Sequence, residues 1–277
     1  MHAKRTLFYV LLIAATNLVH AQEPGNIHPI LTEKYVLDLG VFFPDRSFNI
    51  NVDGSITGVN PNIRFEDEFG LNPSDEVFAI DFGWRFGKKW SLLTQYFQSS
   101  GARGAVLDED IEWKDVVFGQ GTSAVAGQEF RLVRVFFGRQ FNTSERHDFG
   151  VGAGLHWLEI SAFIDGEIIG GGAANQFDRE SVQVEAPLPN IGVWYRYSLS
   201  PKWAFRSRYD YLNADVGDFS GNMTNAALGL NYQMFENFGV GLNYNFFELD
   251  LGVTKPDWRG QVKSRYEGLF VYISANW

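Results

Sequence analysis

Nine residues whose types could do chemistry recur on one phase of an alternating pattern: Asp38, Asp81, Arg85, Arg134, His156, Arg196, Arg206, Arg208 and Asp210, with Gln95 on the same phase. Each sits between residues of the opposite phase that are mostly apolar, as in Leu37-Asp38-Leu39, Ile80-Asp81-Phe82 and Leu155-His156-Trp157. Such a row is expected to turn inward. Charges taken out of bulk water need partners, so the row reads first as a network of ion pairs and hydrogen bonds. The sharper reading is a constriction lined by the five arginines, which would bind or pass small anions.

Catalysis needs more than this row. Of five histidines, His2 and His20 belong to an amino-terminal leader, His28 lies in the segment after it, and His147-Asp148 stands beside a tight turn. His156, enclosed by Leu155 and Trp157, is expected to be a hydrogen-bonded structural histidine. No nucleophile, base and acid fall into a recognisable constellation, so the expectation is a protein that is not an enzyme and has no catalytic residue. Two acidic clusters, Glu66-Asp67-Glu68 and Asp108-Glu109-Asp110 with Glu112 and Asp115, match no calcium-loop spacing and read as solvated surface. Gly170-Gly171-Gly172 lacks the strand-to-helix setting of a phosphate loop and reads as a loop tip. No cofactor and no metal are expected, and the absence of cysteine removes thiolate ligands and disulfides.

The elements that position the charged row alternate with period two, and ten of them are legible. They run at about 34 to 43, 76 to 86, 90 to 100 and 128 to 141, then around Phe149 to Trp157, Ile191 to Tyr197, Trp203 to Tyr211, Ala226 to Tyr232, Phe238 to Phe246, and finally 267 to 277. In the second, Phe78, Ile80, Phe82, Trp84 and Phe86 oppose Ala79, Asp81, Gly83 and Arg85. Arg139 breaks the outer phase of the fourth, where its long side chain can snorkel. Tight turns at 87–89, 142–146, 200–202 and 235–237 alternate with long connections at about 44 to 75, 101 to 127 and 165 to 183. Aromatics such as Phe86, Trp90, Phe141, Phe149, Trp203 and Phe238 flank the tight turns, as an interfacial girdle would.

Both ends of the chain agree with this pattern. Lys4-Arg5 followed by the apolar run 7–15 and the small residues of Val19-His20-Ala21 read as a cleavable secretory signal over residues 1–21, leaving a single domain at 22–277. The run is far shorter than the roughly 20 residues of a spanning helix, so a membrane form of this chain must be a closed barrel. Tyr266-x-Gly268-x-x-Val271-x-Ile273 ahead of the terminal Trp277 resembles the strand by which bacterial outer-membrane barrels are recognised for insertion.

Several segments together are similar to a family of poorly characterised proteobacterial outer-membrane barrels: Ile63 to Leu71, Arg85-Phe86-Gly87-Lys88-Lys89-Trp90, Ala186-Pro187-Leu188-Pro189 and Gly239-Val240-Gly241-Leu242-Asn243-Tyr244. The resemblance implies a small barrel of the OmpA or OmpW kind in the cell outer membrane, and transfers no catalytic residue. The expected fold is all-β, a transmembrane antiparallel up-and-down β-barrel of about ten strands, with eight as the alternative count, short periplasmic turns and long extracellular loops.

Composition restricts function further. The chain has a formal net charge of −10, which becomes −12 once Lys4 and Arg5 leave with the signal, against nucleic-acid binding. Aromatics at 16% beside a mean hydropathy of −0.15 fit strands that average an apolar outside with a polar inside. The leading expectation is a non-enzymatic structural, adhesive or small-ligand-binding barrel; a narrow porin-like channel is second and a lipid-modifying outer-membrane enzyme third. Expected partners are outer-membrane lipids, lipopolysaccharide and, through the terminal strand, the barrel-assembly machinery, with the protein a monomer.

Overall fold

The computed structural model describes residues 27–53, 62–64, 69, 76–87, 89–114, 116–141, 144–169, 176–256 and 258–277. The expected signal over residues 1–21, Glu66-Asp67-Glu68, Asp115 and the triple glycine lie outside them. The strands are β1 (Tyr35–Val52), β2 (Asn62–Arg64), β3 (Val77–Phe86), β4 (Trp90–Val106), β5 (Ile111–Trp113), β6 (Val116–Phe118), β7 (Ser123–Gln140), β8 (His147–Ile169), β9 (Gln176–Ser198), β10 (Trp203–Val216), β11 (Phe219–Gln233), β12 (Phe238–Thr254) and β13 (Arg259–Asn276), preceded by a one-turn helix α1 (Pro29–Thr32).

Ten strands close a ring in the order β1-β3-β4-β7-β8-β9-β10-β11-β12-β13, every pair antiparallel, and β13 returns to β1 from Val36↔Asn276 to Val52↔Gly260. The count is ten, not eight. Short strands β2, β5 and β6 lie outside the ring. The seam is tied at its base, where Tyr35 N–H donates to Trp277 O at 2.9 Å and Trp277 N–H to Tyr35 O at 3.1 Å.

Near the short turns the alternation resolves as its sequence demands. Phe137, Val151, Leu155, Leu242, Leu269, Val271 and Ile273 are exposed, while Asp38, Asp81, Arg134 and Asn243 on the opposite phase are buried. A closed wall with an apolar outer belt of this kind is stable only against lipid. Trp90 stacks on Phe137 at 4.9 Å, Trp203 packs on Tyr232 at 4.7 Å, and Tyr35 on Trp277 at 5.5 Å. Arg139 points outward and leans over Trp90 and Phe141.

Beyond the belt the alternation inverts. In β12 the outward row Val240, Leu242, Tyr244, Phe246 continues as Glu248 and Asp250, and the inward row Gly241, Asn243, Asn245 continues as Phe247, Leu249, Leu251 and Val253. In β13 the outward row is Arg259, Gln261, Lys263, Arg265 before Leu269. The outer surface there carries ion pairs, Arg131 to Glu159 at 2.5 Å and Lys263 to Asp250 at 3.4 Å. Inside is an apolar core including Phe48, Ile50, Phe97, Phe130, Ile164, Val184, Leu249 and Tyr266. Trp113 of β5, Phe118 of β6, Ile63 of β2 and Phe69 fold into it from the connections.

The connections expected at about 44 to 75, 101 to 127 and 165 to 183 are shorter than the sequence implies. Residues 44–52, 101–106, 123–127, 165–169 and 176–183 are strand, so β8 and β9 each run 23 residues, roughly twice the 9–11 of a spanning strand. The β10–β11 connection at the same end is only Gly217-Asp218, with Gly217 at φ 61°, where the left-handed turn favours glycine. The β9–β10 ladder stops at Tyr211↔Ile191, two residues before Pro189 and four before Pro187. Prolines, lacking a donor, suit the strand edge that begins there.

Candidate functional site

Within the belt, a row of polar side chains climbs across six neighbouring strands through consecutive register partners: Ser274, Asp38, Asp81, Gln95, Arg134 and His156. Strand β10, on the far side of the ring, answers it with Arg206, Arg208 and Asp210 on a single inward phase. Three crossbars result. Arg206 donates to Asp38 Oδ2 at 2.5 Å, Arg208 to Gln95 Oε1 at 3.0 Å, and Arg134 grips both oxygens of Asp210 at 2.6 and 2.9 Å. Paired N–H donors in one plane match a carboxylate, so the last crossbar is the most directional.

The remaining polar groups knit the crossbars together. Ser274 Oγ donates to Asp38 Oδ1 at 2.6 Å, and Tyr272 O–H accepts from Arg206 at 3.2 Å. His156 Nδ1 lies 3.0 Å from Asn190 Oδ1 and its Nε2 lies 2.9 Å from Asn225 Nδ2, so Nδ1 donates, Nε2 accepts, and the ring is neutral. His156, Arg134 and Asp210 are all fully buried, with 0% exposure. Inner-face glycines make room for the larger side chains: a Cβ at Gly138 or Gly150 would strike the Trp194 ring, and one at Gly241 the Tyr272 ring.

Of the residues expected from sequence, Asp81 stands apart. It is buried between Asp38 and Gln95, no arginine comes within 4 Å of it among the described residues, and its Oδ1 has no hydrogen-bond partner. The guanidiniums of β10 pass to either side, one to Asp38 and one to Gln95. The residue missed was Asp148. It joins Arg85 at 3.2 Å, Arg196 at 3.3 Å and the Trp194 indole N–H at 3.1 Å. Its place beside a tight turn masked it, yet counting back by twos from His156 through Gly154, Gly152 and Gly150 lands on it.

Below this lies a plug. His28 caps α1 by accepting the Ile30 N–H at Nδ1, 3.1 Å, while its own N–H donates to Ser198 Oγ at 2.9 Å. Pro29 occupies the first helical turn, where its missing donor costs nothing. Ile30 and Leu31 bury against Val36 and Ala204. Arg85 holds the carbonyl end of the helix, donating to Glu33 O at 2.6 Å and to Ile30 O. Burial first, then the positive charge of Arg206, lowers the pKa of His28 from 6.5 to about 4. Between plug and crossbars remains a cavity of about 50 Å³, with Asp38, Asp81, Arg134, Arg206 and Arg208 on its wall.

Among solved structures, the outer membrane protease OmpT from Escherichia coli matches with a TM-score of 0.58 and 9% identity, over 94% of this chain and 99% of that one. The chain has the fold of an outer-membrane β-barrel. At such identity the likeness to the protease is one of barrel fold alone. The Pseudomonas putida toluene transporter TodX matches at TM-score 0.38, 9% identity and 90% and 92% coverage of this chain and that one. Ail, the attachment invasion locus protein of Yersinia pestis, matches at 0.28, 13%, 87% and 98%. No family model and no curated protein matches the sequence.

Proposed function

We propose that the chain is a plugged surface barrel of the outer membrane, non-enzymatic, with a structural, adhesive or small-ligand-binding role at its far end. One observation carries this reading: the interior is filled at three successive levels, by α1, by the crossbars of β10, and by the apolar core into which Trp113 and Phe118 fold. A solute would have to displace all three. The charged outer face of the extended strands suits contact with water, with lipopolysaccharide and with macromolecules outside the cell.

The histidines support the non-enzymatic reading. His156 is held by two asparagines and His147 by Tyr195 O–H at 2.6 Å, and neither has a serine or carboxylate within hydrogen-bonding distance among the described residues. Kinship with small barrels of the OmpA or OmpW kind, export by a signal over residues 1–21, delivery to the assembly machinery through the terminal strand and a monomeric state complete the proposal.

Planar-bilayer recording of refolded protein tests it. The expected trace is silent. Sustained single-channel steps would move the narrow-channel reading ahead.

A further inference from the structure

Inside the belt the charges do not balance. Five buried or nearly buried arginines, Arg85, Arg134, Arg196, Arg206 and Arg208, face four aspartates, Asp38, Asp81, Asp148 and Asp210, and His156 is neutral in its asparagine clamp. One positive charge is left inside a wall surrounded by lipid, where an uncompensated ion is costly. Two donors are also unused. Arg134 Nη1, on a side chain with 0% residue exposure, and Arg208 Nε have no hydrogen-bond partner, and both residues line the cavity. The nearest carboxylate oxygen to Arg208 Nε is that of Asp210, at 3.9 Å.

We infer that the cavity is a binding site for one small inorganic anion, of chloride size, seated between Arg134 and Arg208. The anion takes the two orphaned N–H groups and cancels the surplus charge. Water could fill the same space, since a water needs about 10–15 Å³ of it, but water leaves the charge in place. Asp81 lies on the same wall with no arginine within 4 Å, so the anion sits against the two guanidinium groups. The ligand enters as the barrel folds around it, or from the short-turn mouth when α1 lifts.

Unfolding of refolded barrel in urea, in sodium chloride and in sodium gluconate of equal ionic strength, tests the site. An anion at ten times its Kd shifts the unfolding equilibrium about tenfold, so the midpoint should be higher in chloride. Crystals grown in bromide should give an anomalous peak between Arg134 and Arg208. Arg208→Gln brings arginines and aspartates to equality and should make the two salts equivalent. Asp81→Asn raises the surplus to two charges and should steepen the chloride dependence, which keeps the test decisive should Arg208→Gln not fold. Equal midpoints for the unaltered protein with no bromide peak would overturn the site. So would a chloride effect that survives Arg208→Gln unchanged.

Discussion

Asp38 and Asp81 stand directly opposite each other across the β1–β3 ladder, yet only Asp38 is engaged, by Arg206 at 2.5 Å and Ser274 at 2.6 Å. Like charges on facing positions of an antiparallel pair repel. The arrangement holds because a guanidinium from the far wall lies on one member. It makes the two carboxylates unequal, and their substitutions should be unequal too.

Asp38→Ala strands the Arg206 guanidinium in the barrel interior and should cost about 3 to 5 kcal/mol. Asp210→Ala, which strands Arg134, should do the same. Asp81→Ala removes a carboxylate with no ion-pair partner and should cost less than either. Asp108→Ala on the exposed far connection should stay within about 0.5 kcal/mol. Urea midpoints of the refolded variants give the ranking; an Asp81 loss as large as that at Asp38 would contradict it.

Single spin labels should report both the belt and its inversion. Labels at Phe82 and Leu242 should relax with lipid-soluble oxygen far more than labels at Asp81 and Asn243. Labels at Glu248 and Lys263, on the same outward phase but beyond the belt, should respond instead to a water-soluble nickel chelate. Oxygen sensitivity at Glu248 equal to that at Leu242 would place the belt edge wrongly.

The plug should loosen in acid. The pKa of His28 is lowered on docking, from 6.5 to about 4, so the released segment binds more protons than the docked one. Docking is therefore strongest above pH 6.5 and weakens as pH falls toward about 4. A fluorophore on Leu31→Cys would follow it. His28→Gln, neutral throughout, should abolish the dependence in that window.

Deleting residues 273–277 removes the partners of Leu37, Asp38 and Leu39 and the two bonds that tie Tyr35 to Trp277. The truncated chain should accumulate as a protease-sensitive species outside the membrane. Normal amounts of a heat-modifiable barrel would defeat this expectation.

Within the belt the sequence was nearly transparent, because a period of two leaves only one choice of face and one solvent on each side. All ten strands and the inward placement of Asp38, Arg134 and His156 followed from it. What was not legible came from long-range reach. Nothing local says that Arg206 meets Asp38 or that Asp81 is left out, since those contacts span the lumen between strands distant in the chain. The inversion did leave a mark, in adjacent apolar pairs where one row hands over to the other: Phe42-Phe43, Leu132-Val133, Trp157-Leu158 and Phe246-Phe247. Reading polarity alone, the hand-overs at Phe42-Phe43, Trp157-Leu158 and Phe246-Phe247 look like the ends of strands.

That hand-over gives the molecule two thermal characters. In the far half, folding withdraws apolar side chains such as Phe130 and Leu249 from water, and water release carries a large heat capacity. In the belt, apolar side chains stay against hydrocarbon, so little of that term arises. Cooling therefore weakens the far half while leaving the embedded wall almost untouched. The chain should have a cold-sensitive crown standing on a cold-indifferent base.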